Sequence, residues 1–144
     1  MRIAVLLARL ILGALLVGAG GLKIGHATAL AGAIAGFRLL PAPVIAPLAV
    51  ILPYFEVLLG GYLLAGLLTR PAAIVAAAQF ALYAGAIASA VVRNIPANCG
   101  CFGPGDAAVA DWPHVAFDCL FVAVACFIAA GAPGAFALDE RIRS

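Results

Sequence analysis

Two cysteines separated by a single glycine, Cys99 and Cys101, are the residues of this sequence best suited to chemistry. They lie in a turn-forming stretch, Asn98-Cys99-Gly100-Cys101-Phe102-Gly103-Pro104-Gly105. A disulfide across one intervening residue closes a very tight ring, and strained disulfides are reduced and exchanged more easily than relaxed ones. Gly100 gives the backbone the freedom that such a ring needs. The pattern therefore favours a pair that passes a disulfide on over a pair that only stabilises a fold.

The same two thiols also fit other kinds of site. Thiolates at this spacing are competent ligands for a soft metal ion such as Cu(I) or Zn(II). Each thiol could instead form a structural bond with a cysteine elsewhere, and the sequence offers Cys119 and Cys126. These two are on one predicted helix, roughly 10 Å apart along its axis, so they cannot bond to each other. Cys119 lies nearer the loop and is a candidate accessory thiol, although a cysteine on an apolar helix is more often a small hydrophobic residue.

Glu56 is the second chemical feature, because it lies near the middle of a long apolar segment. A carboxylate inside a membrane is costly, so it marks a functional site or a buried ion pair that fixes helix register. As a working acid, Glu56 would relay protons to the thiols or to a bound quinone. Lys23 and Arg93 are predicted on the side of the cysteines, where either cation would pair with Glu56 or favour a thiolate. The side chains of Lys23 and Arg93 could instead extend to the lipid headgroups. If a quinone binds, Glu56 and Arg93 are the candidate residues that contact it.

Composition indicates the solvent of this chain. Of its 144 residues 67% are hydrophobic and 10% charged, with a mean hydropathy of +1.22, so lipid must surround most of it. The net charge of +2, without a basic run, argues against nucleic-acid binding. The sequence contains no glycine-rich phosphate loop and no Ser/His/Asp arrangement. His26, His114 and Asp118 are predicted on the side of the cysteines, and we interpret the two histidines, which lack metal-ligand spacing, as interfacial polar residues.

Hydropathy predicts an all-α integral membrane four-helix bundle formed by a single domain, residues 1–144. The four predicted spans are residues 3–22, 44–68, 71–92 and 113–130, each near the roughly 20 residues that cross a bilayer. The segment 23–40 is too short and too polar to span, so we expect a short interfacial helix between the first two spans. Thr69 and Asp111 are the expected N-caps of the third and fourth helices. The cysteines fall in the loop 94–112.

An even number of spans places both termini on one side of the membrane. The positive-inside rule assigns that side to the cytoplasm, because it holds more of the basic residues. The loop 94–112 would then face the periplasm or the cell exterior of an inner, multi-pass membrane protein, where cysteines are expected to be oxidised or redox-active. On the termini side lie Arg2, Arg9, Arg70, Arg141 and Arg143, and on the opposite side Lys23, Arg38 and Arg93.

The order of these residues resembles the MauE branch of the DoxX-like membrane proteins. The most specific part of the resemblance is a Pro-x-x-Glu span followed by Cys-Gly-Cys-Phe-Gly. The resembling positions are Arg9, Gly20, Lys23, Leu40-Pro41, Pro53-Tyr54-Phe55-Glu56, Gly60, Leu63-Leu64, Gly66 and Cys99 to Gly103.

This resemblance implies a four-helix membrane bundle associated with redox chemistry. MauE-like proteins are linked to maturation of methylamine dehydrogenase, whose small subunit carries many disulfides, alongside a thioredoxin-like partner. DoxX relatives are linked to quinone-dependent oxidation of sulfur compounds. The resemblance makes Cys99 and Cys101 the redox pair, with Glu56 and Lys23 as polar motif residues, whereas Cys119 and Cys126 fall outside it.

From these features we expect a membrane thiol–disulfide oxidoreductase whose redox-active disulfide joins Cys99 and Cys101. It would exchange with a thioredoxin-fold partner or a sulfur substrate and could be coupled to quinone. Two other functions fit the same residues. One is a soft-metal transporter in which Glu56 lines the path, and the other is a non-catalytic subunit that docks a redox protein to the membrane.

Overall fold

The computed structural model describes residues 1–101, 103 and 108–143, and these form α-helices with no strand among them. The isolated backbone bridge between Asn98 and Val109 is the only β-type pairing in the described part. In chain order the helices are α1 (Arg2–Lys23), α2 (Ala27–Gly36), α3 (Ala42–Ala65), α4 (Thr69–Val92), α5 (Trp112–Gly131) and α6 (Leu138–Arg143).

Four of these helices, α1, α3, α4 and α5, are long and apolar enough to cross a membrane. The shorter apolar helix α2 lies between the first two spans. The expected all-α membrane bundle with a short helix between spans 1 and 2 is therefore confirmed. The largest difference in bounds is at the end of α3, which stops at Ala65 because Gly66 adopts a left-handed conformation with φ of 68°.

The helices associate most extensively in two pairs, α1 with α3 and α4 with α5. Glycines allow α1 and α3 to approach closely. A Cβ atom added at Gly20 would lie 2.6 Å from the carbonyl oxygen of Pro53, and one added at Gly60 would lie 2.6 Å from that of Gly13. Small residues at such a contact are typical of helix packing in lipid, where close backbone approach replaces the hydrophobic effect as the source of stability.

The apolar core lies among α1, α3, α4 and α5. It combines branched side chains from α1, α3 and α5 with Phe80 and a row of alanines on α4, so the α4 backbone comes close to its neighbours. Its largest fully buried apolar members include Val5, Leu12, Leu16, Leu63 and Ile128. In contrast, α3 and α4 contact each other over a small area, which leaves space between them.

The predicted helix caps had different outcomes. Asp111 caps α5, because its side chain accepts a hydrogen bond from the His114 amide. The predicted cap at Thr69 is wrong, since α4 begins at Thr69 itself and its side chain is buried. Both oxygens of the Asp139 carboxylate instead accept hydrogen bonds, each 2.8 Å long, from the amides of Leu68 and Thr69. A residue from the C-terminal tail thus satisfies the free amides of α4.

Candidate redox site

Cys99 and Cys101 form a disulfide in the structure, with their Cα atoms 5.4 Å apart. The backbone on either side of the loop is paired. The Cys99 amide donates to the carbonyl of Ala108 over 2.9 Å, and the Ala110 amide donates to that of Ala97 over the same distance. The disulfide is therefore attached to a paired backbone, while Phe102 and residues 104–107 of the predicted loop lie outside the described residues.

Two glycines allow this loop to lie against the helices. Gly100 and Gly103 have φ values of +62° and +90°, a region that glycine adopts without strain. A Cβ atom at Gly103 would lie 2.9 Å from the carbonyl oxygen of Leu22 in α1, and one at Gly100 would lie 3.0 Å from the Cβ of Ala33 in α2. The loop thus packs over the end of α1 and against α2, which brings the cysteines above the bundle interior.

Directly below the loop, Lys23 and Glu56 form a buried ion pair. The Lys23 ammonium donates to both carboxylate oxygens of Glu56, over 3.0 and 2.9 Å. The side chains are 4% and 1% exposed, so neither charge is solvated by water or headgroups. Of the alternatives that the sequence left open for Lys23, the structure shows the ion pair and not snorkelling to the headgroups.

Two further side chains of α4 complete the hydrogen bonding of Glu56. Tyr83 donates its hydroxyl to Glu56 Oε1 over 2.5 Å, and Gln79 donates its amide to the same oxygen over 3.0 Å and to the Tyr83 oxygen over 2.9 Å. Sequence analysis did not select either residue. A signal was present, because an amide in the middle of an apolar span is as unusual as a carboxylate. Tyr83 gave no such signal in the sequence, because tyrosine is frequent near membrane interfaces.

A first space adjoins this polar group between α2, α3 and α4, and we call it the lateral cavity. Its volume is about 580 Å³, and Lys23, Gln79, Tyr83 and the disulfide lie at its polar end. The Oε1 atom of Gln79 is buried without a hydrogen bond among the described residues. Most of the wall is apolar, including Leu30, Phe37, Leu52, Ala86 and Ile87 and, on the lipid-facing surface, the exposed Ile51, Phe55 and Leu82.

A second space lies on the opposite side of the same group, mainly between α1, α4 and α5, and we call it the inner cavity. Its volume is about 320 Å³. Lys23, Tyr83 and Cys101 border both cavities, whereas Glu56 and Asp118 line the inner one. His114 and three phenylalanines, Phe80, Phe117 and Phe121, also line it. The disulfide and the ion pair therefore separate two chemically different spaces.

Asp118, which the sequence analysis placed only on the side of the cysteines, is buried in the structure. Its side chain is 7% exposed and points into the bundle, where its Oδ2 atom has no hydrogen bond among the described residues. Helical spacing explains this burial, because Asp118 lies on the face of α5 that carries Ala125 and Ile128, which are buried too. Distance from the helix end was not a sufficient guide to burial.

His114 is placed by a contact at the start of α5. Its Nδ1 atom lies 2.5 Å from Asp111 Oδ1, and its amide donates to the same oxygen over 3.2 Å. These hydrogen bonds, first from the side chain and then from the backbone, lower the pKa of the Asp111 carboxyl below its ordinary value of 3.8. The cap of α5 therefore also fixes a residue that lines the inner cavity.

Arg93 lies away from this site. Its side chain is exposed and donates to the carbonyl oxygens of Ser89 over 3.2 Å and of Phe37 over 2.5 Å. These acceptors belong to helix ends, where carbonyls lack partners within the helix and attract a cation. Arg93 does not line the lateral or the inner cavity, so the structure does not bring it to Glu56, which was one of the alternatives that the sequence left open.

The remaining cysteines also lie outside both cavities. Cys119 and Cys126 are free thiols exposed on the surface of α5. An accessory role for Cys119 thus stays a prediction, and it would require a change in the position of the loop or of α5. Within the described residues, no group of three or more His, Cys, Asp or Glu side chains is arranged to hold a metal ion.

The chain is similar to known proteins. A family model described as "Methylamine utilisation protein MauE" matches residues 1–131. The methylamine utilization protein MauE of Paracoccus denitrificans is 34% identical over 128 residues, which cover 88% of this chain and 69% of that protein. No solved structure matches the chain. Since the family match includes all four spans and the Cys-Gly-Cys loop, this protein belongs to the MauE family.

Proposed function

We propose that this protein is a membrane thiol–disulfide oxidoreductase in which Cys99 and Cys101 alternate between disulfide and dithiol. The main support is the position of the disulfide at the shared border of two cavities, above the buried Lys23–Glu56 pair. A purely structural disulfide needs no ionisable groups or adjoining cavity. A redox pair can use both, because its reduction consumes two electrons and two protons that a bound acceptor and nearby ionisable groups can exchange.

The first half-reaction would take electrons from a thioredoxin-fold partner. Cys101 is more exposed than Cys99, which is 9% exposed, so we propose that the partner thiolate attacks Cys101. A bond forms between the partner sulfur and Cys101, the Cys99–Cys101 bond breaks, and Cys99 leaves as a thiolate beside the lateral cavity that Lys23 also lines. The partner's second thiolate then attacks the partner sulfur that is bonded to Cys101. The partner thereby gains a disulfide, and Cys101 leaves as a thiolate.

The second half-reaction would return the electrons to a membrane-soluble acceptor of the quinone class. The residues of the lateral cavity fit such a molecule, because the wall is apolar while Gln79 offers an unpartnered buried oxygen at the polar end. Lys23 and Tyr83 line the same end. A bound quinone would accept the two electrons and two protons released when the dithiol returns to the disulfide, and the walls contributed by α3 and α4 adjoin the lipid.

The comparison also bears on the biological setting. The printed name of the Paracoccus denitrificans relative assigns that protein to methylamine utilization. We propose the same setting for this chain. In this setting the partner would be a thioredoxin-fold protein outside the cytoplasm that delivers disulfides to a client enzyme.

Trapping a mixed disulfide tests the exchange with the partner. In a Cys119→Ser, Cys126→Ser background, Cys99→Ser leaves Cys101 as a single loop thiol that can bond to the oxidised partner. The variant lacks the second thiol that would release the reduced partner by re-forming the Cys99–Cys101 bond. We expect a covalent complex that a reductant dissolves and that mass spectrometry identifies as a thioredoxin-fold protein joined through Cys101. The background variant with both loop cysteines is the matched control and should give little complex.

The other functions make different predictions in the same strain. A docking subunit would retain its biological activity when Cys99 and Cys101 are both changed to Ser, which would overturn the exchange reaction. A soft-metal transporter would bind Cu(I) or Zn(II) at one ion per protein in the dithiol form and leave the thiols unchanged after turnover. Either result would replace the oxidoreductase proposal.

Filling the lateral cavity tests the quinone half-reaction. Ala86 lines this cavity, whereas Ala81, on the same helix, is exposed and does not line it. In proteoliposomes that contain a quinone, we expect Ala86→Phe to slow reoxidation of the dithiol at least 10-fold, while Ala81→Phe reoxidises at the original rate. Differential alkylation of the two thiols measures the rate. Equal rates in both variants would exclude the lateral cavity as the acceptor site.

A further inference from the structure

The inner cavity contains a group that the exchange reaction as described above does not use. Asp118 is only 7% exposed to solvent, and its Oδ2 atom has no hydrogen bond among the described residues. An unpartnered buried carboxylate oxygen is costly and rarely persists without a function or an unseen partner. Cys101 lines the same cavity, so the carboxyl and the sulfur share one enclosed space.

We propose that the inner cavity is a proton-exchange site in which Asp118 supplies a proton to Cys101 and later takes it back. This proposal rests on the proposed thiol–disulfide exchange and assigns the route of one of its two protons. The inner cavity is separate from the lateral cavity, where the acceptor would bind, so protons and the acceptor approach the sulfurs from opposite sides.

Asp118 and Cys101 exchange the same proton in opposite directions during reduction and reoxidation of the pair. When the partner disulfide forms, Cys101 leaves with the electron pair of the broken bond, and protonated Asp118 donates its proton to that thiolate. When the pair is reoxidised by a small disulfide, the Cys99 thiolate attacks one reagent sulfur from the side of the lateral cavity, which Cys99 lines, and the other reagent sulfur leaves as a thiolate. The Asp118 carboxylate then takes the proton from the Cys101 thiol. The resulting thiolate attacks the Cys99 sulfur in its mixed disulfide with the reagent, and the reagent's sulfur leaves with the electron pair.

The charged and titratable groups around the cavity explain why Asp118 is better placed for this role than Glu56. Both oxygens of Glu56 are engaged, with Lys23 bonded to each of them and Tyr83 and Gln79 donating to Oε1. The Glu56 carboxylate is therefore already occupied by hydrogen-bond donors from α1 and α4. Asp118 retains a free oxygen, and the groups that face its cavity are Lys23 from α1, Glu56 from α3, Tyr83 from α4, His114 from α5 and Cys101 from the loop.

The pH dependence of cysteine oxidation tests the proposal without requiring the natural partner or a quinone. Purified, reduced protein in a Cys119→Ser, Cys126→Ser background is mixed with hydroxyethyl disulfide, and closure of the Cys99–Cys101 bond is followed by alkylation from pH 5 to 9. General base catalysis typically contributes about 100-fold or more to a rate. We expect Asp118→Asn to slow closure by at least 10-fold near neutral pH and to make the rate rise with hydroxide over the whole range.

Two comparison variants separate proton exchange from a structural effect. Asp118→Glu retains a carboxyl group and should recover much of the rate and the neutral part of the pH profile. Glu140→Gln removes a carboxylate that pairs with Arg2 and lines neither cavity, so it should leave both unchanged. If Asp118→Asn has the rate and pH profile of the parent protein, the proton-exchange site is excluded. If the parent protein itself fails to form the Cys99–Cys101 bond, the proposed function fails instead.

Discussion

At the scale of single residues, the site is organised around the Glu56 carboxylate. One oxygen accepts hydrogen bonds from Lys23, Gln79 and Tyr83, and the other accepts from Lys23. These donors come from α1 and α4, so one side chain of α3 connects three helices. In a membrane interior such a group is stable only while every charge has its partner, since water is absent to replace a lost hydrogen bond.

The first prediction concerns the loss of this charge. Glu56→Gln leaves the Lys23 ammonium buried without a counter-charge, and we expect the protein to lose about 3–5 kcal/mol of stability. Thermal unfolding in detergent should show a clearly lower midpoint. The double variant Lys23→Met, Glu56→Leu removes both charges and should recover most of the loss, although it should not exchange disulfides. Equal midpoints for Glu56→Gln and the parent protein would show that the pair does not support the fold.

The second prediction concerns pH and the cap of α5. Hydrogen bonds from His114 lower the pKa of Asp111 in the folded protein, so the ionised form stabilises the fold above the unfolded pKa near 3.8. That contribution is lost as the pH falls through the lower folded value. Asp111→Asn retains a good N-cap without a titratable group. We therefore expect the unfolding midpoint of the parent protein to fall between pH 5 and 3 as this contribution is lost. The midpoint of the variant should lack this part of the decrease.

A titration of both proteins by circular dichroism measures this difference. Because Asp111 is exposed, the effect should be small, and salt should reduce it further. Parallel acid profiles in the two proteins would mean that the contact with His114 does not favour the charged cap.

At the scale of the helices, the position of Lys23 depends on how closely α1 approaches α3. Gly20 and Gly21 form a matched pair of test sites on α1. A Cβ at Gly20 would lie 2.6 Å from the Pro53 carbonyl oxygen, whereas one at Gly21 would meet nothing within 4 Å. The backbone atom at Gly20 cannot move away by itself, so an added methyl group must displace the whole helix.

The third prediction follows from this pair. Gly20→Ala should destabilise the protein by about 1–3 kcal/mol through overpacking. It should also slow disulfide exchange, because Lys23 lies one turn further along the displaced helix. Gly21→Ala should be neutral or stabilising by up to about 1 kcal/mol, since alanine favours helix more than glycine does. Thermal midpoints and exchange rates of the two variants check this, and similar values for both would contradict the close-packing argument.

The sequence predicted the membrane spans more completely than it predicted the residues of the candidate site. Long apolar segments identify spans because each must satisfy its own backbone hydrogen bonds, and the Cys-Gly-Cys motif was visible directly. Which helices pair was not predictable, since the spans are apolar on nearly every side and α3, α4 and α5 show little periodicity. For that reason Gln79 and Tyr83 were missed, the burial of Asp118 was not predicted, and the sequence could not decide between Lys23 and Arg93 as the partner of Glu56.

At the scale of the whole molecule, the fold separates two polar ends. One end holds the disulfide loop, and the other holds Arg9 and the C-terminal tail. Arg9 is 1% exposed and donates to the Pro133 carbonyl oxygen over 2.8 Å, while Asp139 caps α4. A buried arginine is costly in lipid unless the tail covers it, which explains why the residues after α5 fold back onto the bundle.

The last prediction concerns which of these ends faces the cytoplasm. The distribution of basic residues assigns the termini to the cytoplasm and the loop to the opposite side. Two single-cysteine proteins test this in intact cells with a membrane-impermeant maleimide. One retains only Cys101, and the other carries Ile142→Cys, at a position 72% exposed near the C-terminus, in a chain whose native cysteines are all Ser.

Cys101 should be labelled in intact cells, and the cysteine at position 142 only after the membrane is permeabilised. The reverse pattern would have a consequence beyond topology. It would place Cys99 and Cys101 in the reducing cytoplasm, where a disulfide does not persist unless it is part of a reaction. A partner that carries disulfides outside the cytoplasm could then not reach the pair. Sidedness therefore decides whether the proposed electron path from partner to quinone is geometrically open.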